Sequence, residues 1–125
     1  MRIDQYGNLG VGTKVPVEGY KLTVNGGIYA LDLRIRPDLS NTADFVFEED
    51  YQLMPLSEVE SNIKANKHLP GIPSAKQMVE NGVSVAEMQA NLLQKIEELT
   101  LYMIAQNKKI ETQNKKIMRL ESQNK

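Results

Sequence analysis

The chemistry open to this chain is limited by its few reactive side chains. His68 is the only histidine and there is no cysteine, so one chain can form neither a histidine-based catalytic triad nor a thiolate metal site. Three copies of His68 around an axis could bind a metal, but a packed or solvent-facing ring beside Pro70 is the simpler interpretation. The acidic run Glu48–Asp50 lacks the alternating donors and glycine turn of a calcium loop. We predict no enzyme activity, no metal and no cofactor.

The glycine-rich sequence near the start, with Gly7, Gly10 and Gly12, is similar to that of a phosphate-binding loop. Such a loop needs a strand before it and a helix N-terminus after it. Here strand-like sequence and Pro16 follow instead. We therefore interpret the glycines as turn residues and as points where two backbones approach closely.

The charge balance argues against two classes of partner. Lys and Arg number 15 and Asp and Glu number 16, so the formal net charge is −1 and gives no general attraction to nucleic acid or anionic membranes. Lysines recur after residue 106, but no aromatic side chains are interleaved with them. There is no run of 18 apolar residues and no signal peptide at the start; if the chain is a fragment of a longer protein, an export signal could lie upstream. We predict no nucleic-acid binding and no membrane insertion.

The most informative pattern is a heptad ladder in the last third of the chain. Its residues follow one another at alternating steps of four and three, which is the 3.5-residue period of a left-handed coiled coil. A helix of this kind cannot bury its apolar seam alone, so we predict an obligate oligomer. The predicted oligomerisation residues, called the seam below, are Leu92, Ile96, Leu99, Met103, Gln106, Ile110, Gln113, Ile117 and Leu120.

The number of chains in the oligomer is indicated by the polar members of the seam. Isoleucine at a positions with leucine at d positions ordinarily favours two strands. Gln106 and Gln113 would occupy two successive d layers, where buried amides must bond one another or a trapped water or ion. Since three amides can close a ring around an axis, we favour a parallel homotrimer, although spacing alone leaves a dimer open. Lys116 facing Glu121 of a neighbouring helix is the expected interchain charge pair.

The elements that position the seam fall into three predicted segments. Residues 1–44 have the short strands and tight turns of a glycine-rich β-shaft, residues 45–83 form a collar with two short helices, and residues 84–125 form one long helix. In the first segment we expect strands at 20–24 and 31–36, joined by a hairpin turn at Asn25-Gly26.

The collar and the long helix have their own signals. We expect a short β-segment at 45–47 and capping boxes that begin helices at Ser57, Ser74 and Ser84. The long helix carries a second apolar set in its first half only. This predicts that the collar folds back and covers the helix to about residue 105, leaving a bare stalk beyond. The second set comprises Leu93, Leu101, Tyr102 and Ile104.

Two regions of the chain resemble a known group of proteins. Gly7–Thr13, Pro16 and residues 20–26 look like the repeated β-motif of phage-type tail fibres. Residues 45–74, joined to 93–102, resemble the C-terminal region of tail-fibre-like surface proteins of Bacteroidota. The resemblance covers nearly the whole chain and implies a trimeric fibre on a phage, an injection device or a cell surface. Many tail fibres end in a self-cleaving chaperone with a Ser-Asp-x-x-Leu-Lys-like motif, which this chain lacks.

We therefore expect an elongated, mixed β/α homotrimer with a β-shaft, a collar and a C-terminal parallel coiled coil. Its expected function is that of a structural trimerisation and terminal module of an adhesive, extracellular or virion-borne fibre. An intramolecular chaperone domain is one alternative. A tip that binds a surface glycan or receptor is another, with Tyr6, Tyr20, Tyr29 and Tyr51 as the plausible stacking residues, although packing is the simpler role for each.

Overall fold

The structure, a computed structural model, describes residues 1–37 and 44–124. It divides into two compact units, Met1–Arg34 and Ile35–Lys125. The first contains a small sheet and the second contains the helices, so the protein is of mixed α/β class. The segments expected as collar and long helix belong to one unit, and the expected boundary at residue 44 falls inside it.

The first unit is built on three very short strands: β1 (Arg2–Ile3), β2 (Leu9–Val11) and β3 (Leu22–Val24). Their order in the sheet is β1-β2-β3, with β1 antiparallel and β3 parallel to β2. Strands of two or three residues offer few backbone hydrogen bonds. The sheet therefore depends on the turns that join its strands.

The turn between β1 and β2 is closed by Asp4. Its Oδ1 accepts the backbone N–H groups of Tyr6 and Asn8, each at 2.9 Å, and its Oδ2 accepts the Asn8 side-chain amide at 3.0 Å. The Asn8 backbone bond is the main reason why the pKa of Asp4 lies below its ordinary value. The charged carboxylate thus fixes the geometry in which β1 returns along β2.

Gly10 and Gly12 allow the backbone to cross itself beside β2. A Cβ atom on Gly10 would lie 2.7 Å from the carbonyl oxygen of Thr13. One on Gly12, whose φ is +72°, would lie 2.8 Å from the carbonyl oxygen of Asn25. These positions confirm that the glycines permit close backbone approach, which here occurs within one chain.

Two strand predictions are wrong. Residues 27–37 form no strand, so Asn25-Gly26 is a bend after β3 rather than a hairpin turn. Leu31 and Leu33 are exposed, and their alternating pattern therefore has no face to bury against among the residues that the structure describes. Phe45–Phe47, expected as a β-segment, forms a single 3₁₀ turn instead.

The second unit contains α1 (Leu56–Asn66), α2 (Ala75–Asn81) and α3 (Val85–Gln123). The capping box at Ser74 is confirmed, and the Ser84 side chain caps α3 by accepting the backbone N–H of Glu87. The capping box at Ser57 is wrong. Pro55 is the N-cap residue of α1, and its carbonyl accepts two backbone N–H groups, so the helix begins before Ser57.

The long helix dominates the second unit. At 39 residues α3 spans about 58 Å. No helix among the described residues is both long enough and apolar enough to cross a membrane.

Candidate functional site

The seam residues all lie on α3, and each of them is exposed. Among the apolar members the exposed fraction runs from 49% for Leu92 to 72% for Met103. Because a and d positions share one side of a helix, these side chains form an apolar stripe, which Gln106 and Gln113 interrupt at two layers. The described residues of the chain leave this stripe uncovered.

The neighbouring face of α3 is covered by the collar. Val46, in the 3₁₀ turn, is 2% exposed and is the one buried apolar side chain among the described residues. The turn packs against α3, where Glu97 is buried and Leu101 and Tyr102 are half-buried. In the heptad register these three residues occupy b, f and g positions. The collar therefore contacts the side of the helix that the seam does not use.

A polar cluster ties the collar to α3. The Tyr51 hydroxyl donates to Glu98 Oε1 at 2.5 Å and accepts from Gln94 Nε2 at 3.3 Å. Lys95 Nζ lies 3.1 Å from Glu98 Oε2. Burial by itself would raise the pKa of Glu98, but the bonds from Tyr51, Lys95 and Gln94 outweigh it and the pKa lies below its ordinary value. The carboxylate is thus held in its charged form.

The cover over α3 ends at Tyr102. Its hydroxyl donates to the carbonyl oxygen of Met54 in the collar, and burial raises its pKa. Every described residue from Met103 onward is exposed. Of the second apolar set, Leu101 and Tyr102 are half-buried, whereas Leu93 and Ile104 remain exposed.

Glu97 is a buried acid that sequence reasoning missed. Burial, with a side-chain hydrogen bond to Asp44, raises its pKa, and no residue in the described part of the chain bonds its Oε2. The side chain that bonds it is Asp44, so two carboxylic acids meet at this contact. Glu98 differs from the adjacent Glu97 because Gln94 and Lys95, four and three residues earlier on α3, both donate to its carboxylate. The rest of the contrast comes from the collar, where Asp44 bonds Glu97 and Tyr51 bonds Glu98.

A groove runs between the collar and α3, beside the seam. Its volume is about 340 Å³, and its walls are mainly the apolar side chains Met54, Leu56, Val59, Leu69, Pro70, Leu99 and Tyr102. The polar cluster of Tyr51, Gln94, Lys95 and Glu98 lies at one side of it. A second hollow of about 380 Å³ shares Leu56, Leu99 and Tyr102 with the groove and follows α3 to Ile110. The two together extend the apolar stripe sideways onto the collar.

The other sequence candidates are not assembled into a site. His68 lies with its Nδ1 3.0 Å from the carbonyl oxygen of Leu69, and the described residues contain no group of three metal-ligating side chains. Glu48–Asp50 is exposed. The described part of the first unit contains no helix, so its glycines do not lead into a helix N-terminus. Tyr6, Tyr20 and Tyr29 are exposed.

Comparisons with known proteins leave this surface to be interpreted from its own geometry. No protein-family model, no curated protein and no solved structure matches the chain. The exposure and contacts of the seam are therefore the features that bear on function.

Proposed function

We propose that this chain is the trimerisation and terminal module of an extracellular, tail-fibre-like or cell-surface adhesive fibre. One observation carries the proposal: α3 presents an uncovered apolar stripe with coiled-coil spacing, on a different face from the one that the collar covers. A helix that already packs against its own chain and still exposes such a stripe needs partner helices.

The burial pattern supports assembly independently of the heptad register. Val46 is the single buried apolar residue among those described, whereas most large apolar side chains are exposed. A soluble monomer rarely exposes contiguous apolar surface of this extent. The first unit also exposes large apolar side chains, since Ile3, Leu22 and Leu33 are all exposed and its strands have only two or three residues. Contact with further copies would bury both sets.

The polar seam residues favour three chains. Gln106 and Gln113 follow each other at d positions on the bare part of α3. In a trimer each layer would place three amides around the axis, where each can donate to the next. Such layers lower stability while fixing register and strand number. A parallel, registered coil is what three fibre chains need if their β-segments are to wind together, and three copies of any weak surface site would then bind at high effective concentration.

The experiment that tests the proposal is light scattering across a dilution series on matched variants. Ile110→Glu/Ile117→Glu alters two seam positions, whereas Ile104→Glu/Met118→Glu alters two b positions with the same change in charge. Ile117 and its neighbour Met118 are 53% and 65% exposed, so glutamate at either position would be similarly exposed to solvent in a single chain. We expect three times the chain mass for the wild type and the control, and a lower mass for the seam variant, since the assembly would otherwise bury a ring of carboxylates.

The possible masses separate the interpretations. A wild-type monomer at all concentrations would overturn the proposal, because the stripe would then be stable in water. A constant dimer would indicate a coiled-coil adaptor instead of a fibre module. Equal loss of mass in both double variants would show that assembly does not use the predicted face.

A further inference from the structure

We propose that the collar is itself part of the subunit interface: the groove between Leu56 and the seam receives α3 of a second copy of this chain. This inference rests on the proposed trimer, and it adds that the neighbouring helix contacts α1 as well as α3. The interface around Leu99 would thus be wider than a bare coiled coil.

The first argument is the continuity of the apolar surface. Leu56, at the start of α1, is 47% exposed, and it lines both the groove and the hollow that follows the seam to Ile110. Leu99, a seam residue, lines both as well. A partner helix that covers Leu99 and Met103 therefore meets Leu56 on the same surface. Leaving Leu56 in water would expose apolar area directly at the edge of the interface.

The second argument is the heptad register. With Leu99 at a d position, Lys95 and Tyr102 occupy g positions, and the groove lies on this g flank. In a parallel coiled coil the g flank of one helix faces the e flank of its neighbour, with g meeting the e residue five positions on. Lys95 would therefore face Thr100 of the second copy. The Thr100 hydroxyl already donates to the carbonyl oxygen of Ile96 in its own helix at 2.8 Å, so it can be buried without losing its bond.

A partner helix can also cover the groove without burying an unpaired charge. Its charged lining residues are Lys95 and Glu98, which pair with each other at 3.1 Å and have side chains 17% and 14% exposed. The Tyr102 hydroxyl is bonded to Met54. Burial is unfavourable mainly for unpaired polar groups, and these groups are already paired. The surface that remains is apolar and suits an apolar helix face.

Thiol labelling can test this contact because the chain has no cysteine. The Leu56→Cys variant places a thiol at the groove, and Val79→Cys places a control thiol on α2, where the native side chain is 86% exposed. Each is labelled with a maleimide in the assembled background and again in the Ile110→Glu/Ile117→Glu background, after light scattering has established both masses. We expect labelling of the Leu56→Cys thiol to be at least about tenfold slower in the assembled background, and that of the control to be unchanged.

The outcomes distinguish this inference from the proposed function. If the wild type is trimeric and the Leu56→Cys thiol reacts equally fast in both backgrounds, the groove is open in the assembly and the inference is wrong while the trimer stands. If no assembled background exists, both fail. Slower labelling of both thiols would indicate general compaction and would also overturn a contact specific to the groove.

The Leu56→Glu variant gives a second readout that does not depend on thiols. Glutamate in the first turn of α1 is favourable for the helix itself, whereas in the Val79→Glu control it lies in the last turn of α2, where it is unfavourable. If the two variants differ in local helix stability alone, Leu56→Glu should therefore be the less destabilised of the two. We expect its midpoint concentration for assembly to rise at least about tenfold and that of Val79→Glu to stay within about twofold. Equal midpoints would overturn the inference.

Discussion

The two halves of α3 share one heptad register but have different surroundings. From Val85 to Tyr102 the helix contacts its own collar through the 3₁₀ turn, the Tyr51–Glu98 bond and the Tyr102–Met54 bond. From Met103 to Asn124 every residue is exposed. The first half is thus held on one side within the chain, whereas the second half has the seam alone.

Under the proposed assembly, one helix combines two sources of stability without changing its period. The g position is Tyr102 in the covered half and Lys109 and Lys116 one and two heptads later. Since a lone helix is marginal in water, the proposed partner helices would stabilise the second half by themselves, while the first half also has the collar. Changes that remove collar contacts should therefore affect the first half and spare the second, and changes in the distal seam should do the reverse.

The largest expected effect comes from Val46→Asp. A carboxylate at this buried position has no partner and should lower the stability of collar docking by about 3 kcal/mol or more. Hydrogen exchange should show the collar amides losing protection while the amides of Gln106–Gln123 keep theirs. Val79→Asp, on exposed surface, is the control. If both halves of α3 lose protection together, the helix is one cooperative unit and the comparison between its halves does not hold.

The next effect concerns the bare half. Replacing Gln106 and Gln113 by isoleucine should raise thermal stability, by roughly 2 kcal/mol per chain, because two buried amide layers become apolar. It should also loosen the control of strand number, since those layers no longer select a ring of three. Thermal melts and light scattering measure the two effects. A double variant that is less stable and still strictly trimeric would contradict the proposed role of the glutamines.

The sequence allowed the helical part of this fold to be predicted far better than the sheet. Ser74 and Ser84 are local signals, because a capping side chain bonds a backbone group three residues away, and both helix starts are confirmed. The Ser57 prediction failed because Pro55 offered a competing start two residues earlier. The pairing of β3 parallel to β2 depends on a crossing of backbones beside Gly12 that no local pattern specifies.

The contacts between the collar and α3 were also predicted only in part. The second apolar set indicated that α3 has a covered side, but half of its members remain exposed. Glu97 and Glu98 are adjacent, and their opposite pKa shifts depend in part on two collar contacts that no local pattern specifies: the burial of Glu97 beside Asp44 and the bond from Tyr51 to Glu98. The groove beside Leu56 could not be predicted either, because its walls come from residues 51–71 and from α3, which are far apart in the sequence. The helix that carries the seam could be predicted, since its period runs through one continuous element, and the use of the seam in assembly stays a prediction.

A smaller effect is expected from Tyr102→Phe. This change keeps the ring in place but removes the donor to the Met54 carbonyl, which should destabilise collar docking by about 1 kcal/mol. Tyr51→Phe should have a somewhat larger effect of about 2 kcal/mol, because its acceptor is the Glu98 carboxylate. Hydrogen exchange at the collar measures both. Thr112→Val, which removes a hydroxyl from the bare half, should leave the collar unchanged, and equal effects of all three variants would contradict a local role for the tyrosines.

The smallest effect, and the most specific to the comparison, is the pH dependence of collar docking. The raised pKa of Glu97 means that its contribution is fully present below its ordinary pKa of 4.5 and is lost as the pH rises through the higher folded value. Glu98 has the opposite sign: its lowered pKa makes its contribution present above 4.5 and lost as the pH falls through the lower folded value.

The Glu97→Gln variant separates these two carboxyl groups. It removes the ionisable carboxyl group, so the collar should be better protected from hydrogen exchange at neutral pH than in the wild type, and the loss of collar stability above pH 4.5 should disappear. The loss at acid pH should remain, because it belongs to Glu98. The control is Glu111→Gln, which lies at the same heptad position two heptads later, on the bare half, and should leave the pH profile as it is. If Glu111→Gln flattens the profile as strongly as Glu97→Gln does, the pH dependence reflects general surface charge and not the contact between the 3₁₀ turn and α3.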